Sequence, residues 1–239
     1  MPTADNIVVG GARVFIGPAS AAGSAFTDSV AANQYFVTGT NLLATESVVQ
    51  GYNSGGTATR GLAGYSTSAF KEVGFTTEGI DLSFEPEFSD VEVDQLLDSA
   101  ILFKTKQKVT FKTSLAEATL QNLARAIGQL DTEGVAGGNP GIVTSDATWG
   151  DTAGDTRTLG IRGGSLGDFP QERGIVAVAN GPRVTGKTTE RVFEAYRAIS
   201  VESVGVAVKR NEVTSFPVSF RCLPGTNGRY MTIADRVYG

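Results

Sequence analysis

Two neighbouring stretches of strict alternation, acids along the first and lysines along the second, constrain this chain more than any other feature. Across residues 80–88, apolar Ile80, Leu82, Phe84 and Phe88 alternate with Asp81, Ser83, Glu85 and Glu87. That is the period-two pattern of a half-buried strand. From Ile101 to Thr113, Phe103, Val109 and Phe111 fall on one side and Lys104, Lys106, Lys108 and Lys112 on the other. Between the two runs the phase changes at Ser89-Asp90, turning Val91 and Val93 inward and Asp90, Glu92 and Asp94 outward. A one-residue slip inverts every face, so a bend or bulge is predicted near Ser89. The period then becomes helical: Leu120, Leu123, Ala124 and Ile127 form one stripe. Ser114 with Glu117 predicts a capping box at its start, and Gly128 a left-handed residue at its end.

Composition narrows the chemistry. The 239 residues suffice for an ordinary core without covalent staples, and a charged fraction of 19% beside 41% hydrophobic residues excludes disorder. A net charge of -5 argues against nonspecific duplex binding, which needs cations to neutralise phosphate. There is no histidine, which removes Ser-His-Asp and Cys-His catalysis and histidine-containing zinc sites. The lone Cys222 alternates with Phe216, Val218 and Phe220 and reads as a packed thiol; without a second cysteine it forms no intrachain disulfide, which fits a reducing cytosol. The acidic start, MPTADNIVVGG, is unlike a signal peptide, and no apolar run is long enough to span a membrane as a helix.

One domain, residues 1–239, is expected, with loop insertions at about 39–68 and 129–157. Strands are predicted at Asn6–Ile16, Gln34–Thr38, Thr158–Arg162 and Gly174–Ala179, around Ile199–Val201 and Val204–Val208, and at Phe216–Cys222 and Met231–Val237. The second insertion carries Asp146, Asp151 and Asp155, whose spacing does not match a calcium loop, and Trp149, a candidate contact anchor. The clustered carboxylates of 78–98 suggest a glycosidase pair in isolation, but nothing else supports a sugar cleft.

One motif demands an answer. Gly181-Pro-Arg-Val-Thr-Gly186-Lys187-Thr188 matches the phosphate-binding P-loop in full. In the right context Lys187 would reach the β- and γ-phosphates and Thr188 would hold Mg²⁺. The context is wrong: the chain beyond Ser200 alternates like antiparallel sheet, and no apolar strand ending in aspartate supplies the second metal ligand. The plainer reading is a Gly/Thr hairpin with a solvated lysine.

Residues 71–128 resemble the core of phage tail tube proteins, also called major tail proteins. The likeness rests on GFTTEGIDLSFEPE, then the acidic VEVDQ, the basic strand and LAEATLQNLARAIG. It resumes in VGVAVKRNEVTSFPVSFRCLP and MTIADRV; together these cover about half the chain, leaving out both insertions and the P-loop look-alike. The resemblance implies a mainly β fold, an antiparallel β-sandwich flanked by one α-helix. It implies a structural virion protein without catalysis or cofactor, assembled in the bacterial cytoplasm into a tail. Such subunits form stacked hexameric rings whose channel passes viral DNA without specific binding. Further partners are tail terminator and baseplate or tip proteins, and a sheath where the tail contracts, with no membrane. Asp81, Glu85 and Glu87 share one face and are the lumen candidates, because acids repel phosphate within a Debye length of about 8 Å. The N-terminal strand, the 39–68 loop and the closing segment are candidates for ring-to-ring contact. The alternatives are a P-loop enzyme on Gly181, Gly186, Lys187 and Thr188, a sister tube or terminator subunit of the same fold, and a monomeric β-sandwich binding module.

Overall fold

The computed structural model describes residues 11–18, 71–91, 101–131, 133–135, 141–144, 153–161, 170–202, 204–206, 214–225 and 228–238. The expected strand at 34–38, the insertion at 39–68, Asp94, Asp98, Asp146, Trp149 and Asp151 lie outside them. The chain is mainly β, built on antiparallel sheet with one helix among the described residues. Its elements are β1 (Ala12–Pro18), β2 (Lys71–Glu72), β3 (Thr76–Val91), β4 (Ile101–Leu115), α1 (Leu120–Ala126), β5 (Glu133–Val135), β6 (Ile142–Thr144), β7 (Arg157–Leu159), β8 (Arg173–Asn180), β9 (Thr188–Ser200), β10 (Phe216–Leu223) and β11 (Met231–Tyr238).

The main sheet runs β2-β1-β8-β9-β10-β4-β3, with β11 attached to β9. One edge of β9 is shared end to end: Arg197–Ser200 pairs with β10 and Thr188–Ala195 with β11. The sheet therefore forks, one limb continuing through β10 into β4 and β3, the other ending on β11. Its two far edges are joined by only Val73, Gly74 and Phe75 between β2 and β3, a span of at most roughly 14 Å. So short a link forces the sheet to roll until its edges meet; β1 lies against β3, and Val73 is buried between them.

The interior of this roll is the core. Alternation delivers Val14 and Ile16, Ile175 and Ala177, Phe216, Val218, Phe220 and Cys222, and Val109, Phe111 and Leu115 to one face. Ala195 and Ala198 both reach it, three residues apart, because the β8–β9 register shifts between Arg173 and Ile175. The opposite face of β1, β8 and β9 is buried too, at Phe15, Val176, Val178 and Val192. This is why GIVAVA in β8 reads as continuously apolar.

The helix is shorter than predicted and starts later. Ser114 is a buried strand residue paired with Pro217, so it caps nothing. Pairing on both flanks carries β4 through Leu115, and that tertiary pairing outcompetes the local capping box. Thr119 is the N-cap, accepting the Asn122 amide at 3.2 Å, while the Glu117 carboxylate accepts from the Phe75 amide. The C-terminal expectation holds: Gly128 has φ 71°, and the amides of Gly128 and Gln129 donate to the Arg125 and Ala124 carbonyls.

The second insertion is not plain loop. Its residues supply β5, β6 and the first residue of β7, a small sheet in which β5 and β6 run parallel and β7 antiparallel. Ile142 of this sheet is fully buried, and β7 packs against α1. β9 ends at Ser200, and residues 201, 202 and 204–206 are not strand, which corrects the expectation there; the rest of the expected strand lies outside the described residues.

Candidate functional site

β3 and β4 pair along most of their length, and the register turns the charge pattern into a ladder. Asp81 stands opposite Lys112, Glu85 opposite Lys108 and Glu87 opposite Lys106. Lys106 Nζ lies 3.0 Å from Glu87 and Lys108 Nζ 3.3 Å from Glu85, while Lys112 leans toward Glu202 at 3.9 Å. The three acids share one face, as expected, but each faces a lysine across the strand. The Ser83 hydroxyl, at 3.0 Å, and then Lys108 hold the Glu85 carboxyl below its usual range. All these groups are exposed, so each pair contributes little to stability.

The bulge predicted near Ser89 is not there: register keeps Asp90 on the face of Phe88 rather than turning it outward, and the irregularity lies on the other strand. Glu87 pairs with Lys106 and Phe88 with Lys104, leaving Thr105 as the extra residue in β4, its hydroxyl donating to the Glu87 carbonyl at 3.2 Å. β3 itself continues one for one to Val91. The extra residue inverts the parity of β4 beyond it. Lys104 moves to the apolar face beside Phe88, and Phe103 moves to the lysine face, the reverse of the expected alternation.

The apolar face also departs from expectation. Ile80 and Leu82 pack on the core, but Phe84 is 49% and Phe88 55% exposed. The cause is length. β10 pairs with β4 only from Val109 to Leu115, so residues 85–91 and 101–108 project past the sheet as a two-stranded ribbon with Phe84 at its base. Ile101, Leu102 and Phe103 are exposed on it as well. Such a ribbon is marginal in water without cover, and an apolar surface of this kind marks an interaction site.

The outer edge of the ribbon has a defined polarity. The Glu87 carbonyl points to β4, so Pro86 beside it points outward. The Gln107 carbonyl, across from Pro86, turns away from β3 to accept the Tyr230 hydroxyl at 3.2 Å, which fits a non-hydrogen-bonded Pro86–Gln107 pair. A proline therefore sits where the free edge would otherwise offer an amide.

The P-loop look-alike is the β8–β9 hairpin. Gly181, Gly186 and Lys187 lie in the connection between antiparallel strands and Thr188 opens β9, which stands where a phosphate-binding helix would begin. Lys187 closes the turn by donating its amide to the Val184 carbonyl, and Gly186 takes φ 74° as its third residue. A side chain at Gly181 would press on the Glu190 backbone at 3.0 Å. The two matching glycines thus have folding reasons, and Glu190–Ile199 is strand rather than helix.

A cleft of about 240 Å³ lies at the ribbon's base, lined by Gly79, Asp81, Lys112, Thr113, Glu202 and Pro217 among others. Its charges are of both signs, with Asp81 and Glu202 beside Lys112, and no metal-holding cluster of acids or cysteine occurs among the described residues. No described helix is long and apolar enough to cross a membrane. Comparison of the chain with known protein families and with curated proteins finds no match.

Proposed function

We propose that this protein is a structural, self-assembling tube subunit of the phage tail type, which stacks as hexameric rings around a channel for viral DNA. The observation that carries the reading is the ribbon: an apolar face that runs past the subunit's own core and stays uncovered in the isolated chain. The resemblance of residues 71–128 and of the chain's end to tail tube proteins supplies the ring, the DNA and the tail terminator and tip proteins as partners.

The charge ladder suits a wall that DNA slides along, though by a different route from plain repulsion. Lys106, Lys108 and Lys112 would be a phosphate-binding row if bare. With Glu87, Glu85 and Asp81 in register beside them, the face has no net positive field to hold DNA. The acids act first on their own lysines.

Negative-stain microscopy of the purified protein tests the proposal. Rings or tubes with six-fold end views are expected, and a compact monomer at high concentration would overturn it.

A further inference from the structure

The sheet's inner face is uncovered at two places, one on each limb of its fork. On the ribbon, register puts Phe84, Pro86, Phe88, Leu102 and Lys104 on the face that carries Ile80 and Leu82 into the core. On β11, Ile233 and Val237 are 47% and 53% exposed, opposite Phe193 and Thr189 of β9 and in line with Met231, which packs on the core. The two rows match in spacing. Phe84 and Phe88 are four residues apart with Pro86 between them; Ile233 and Val237 are four apart with Asp235 between them. Four residues of strand is about 13 Å in both. Charge also matches. The ribbon row carries Lys104 beside Phe88 and ends in Asp90, and the β11 row carries Asp235, bound by Arg191 through two hydrogen bonds at 2.6 and 2.8 Å.

The ribbon's edge, in contrast, is built against partners. Pro86 removes a donor from the middle of it, and the Thr105 bulge distorts the ladder at the same level. Two ribbons meeting edge to edge in antiparallel fashion about Phe84 would also set Asp81 of each copy opposite Glu87 of the other, like charges in contact.

We propose that the ribbon of one copy lays its apolar face over the Ile233–Val237 row of a second copy, face on face and head to tail, while Pro86 keeps the edge from recruiting a strand. This docking rests on the self-association of the proposed tube subunit but not on six-fold rings or DNA. A contact between two different patches propagates from copy to copy, as a ring or filament requires.

Cysteine cross-linking tests it, since the native thiol Cys222 is buried and burial pushes it up to about 11, leaving it inert. Phe88→Cys protein is mixed under mild oxidation with Ile233→Cys or Val237→Cys protein. A mixed disulfide dimer is expected in at least one mixture, with none from Phe88→Cys alone or from Lys106→Cys, on the ribbon's other face, in either mixture. Symmetric Phe88→Cys dimers, or tubes that form with no mixed disulfide, would overturn the docking and leave the tube reading intact. Mixed disulfides without rings would overturn the tube reading alone, and a protein that stays monomeric loses both. Phe88→Ser should weaken association by roughly ten- to a hundredfold, the worth of burying one such side chain. Pro86→Thr should convert orderly assembly into fibrous aggregation through the unguarded edge; unchanged behaviour would refute the guard.

Discussion

Asp131 holds the most demanding charge arrangement among the described residues. Its two oxygens lie 2.7 Å from Arg125 Nε and 2.7 Å from Arg173 Nη1, and both guanidiniums are almost completely buried. Arg173 also donates to the Gln129 carbonyl, and Arg125 to Asn122 at 3.1 Å. Asn122 in turn binds the Val73 carbonyl at 2.8 Å, so one network ties the helix to β8 and to the link between the sheet edges. Burial alone would raise the Asp131 pKa, but the two arginines outweigh it and hold the carboxyl below its usual range. A depressed folded pKa contributes stability above the unfolded carboxyl value, about 3.9, that is lost as pH falls through the folded one. Acid unfolding should therefore steepen below about pH 4. Asp131→Asn is expected to cost about 3–5 kcal/mol, since it strands two buried cations, and to flatten that acid limb; urea titrations at pH 7 and pH 3 measure both effects.

At the scale of elements, the β3–β4 ribbon decides how the surface behaves. Its ladder turns a lysine strand and an acidic strand into a compensated face, and the compensation can be removed. Glu85→Gln with Glu87→Gln leaves Lys106 and Lys108 unopposed. The double variant should bind DNA more tightly than the parent, in a way that weakens steeply with salt, as filter binding across salt concentrations would record. Binding unchanged by the substitutions would remove the ladder from the account of DNA passage. The short helix is a local counterpart. Capped at Thr119 rather than Ser114, it still closes on Gly128, because the glycine's left-handed conformation needs no tertiary partner.

For the whole molecule, the link from Glu72 to Thr76 is decisive. Three residues cannot bridge the edges of an open seven-strand path, so the roll of the sheet and the enclosure of its core follow from that connection. Val73 is the side chain that the closure buries, at 1% exposure. Val73→Ala should lower stability by about 1–3 kcal/mol, read as a shift in the urea midpoint without a change in slope. The same roll leaves the ribbon of one limb and the Ile233–Val237 row of the other uncovered, which is where subunit contacts are proposed.

Much of this was legible in the residues alone. Alternation located β3, β4, β10 and β11, because a strand with one covered face must repeat every two residues, while β8, covered on both faces, showed as a short apolar run. The common face of Asp81, Glu85 and Glu87 followed from the same parity, and the hairpin at Gly181–Thr188 from its turn chemistry. Only the tertiary structure could place the extra residue at Thr105 rather than near Ser89, since a phase change between two paired strands does not say which of them carries it. Only it could show Ser114 taken by the sheet, and Phe84 and Phe88 left bare. Periodicity reports which way a side chain points, and whether anything waits there depends on where neighbouring strands end, here at Leu223 of β10.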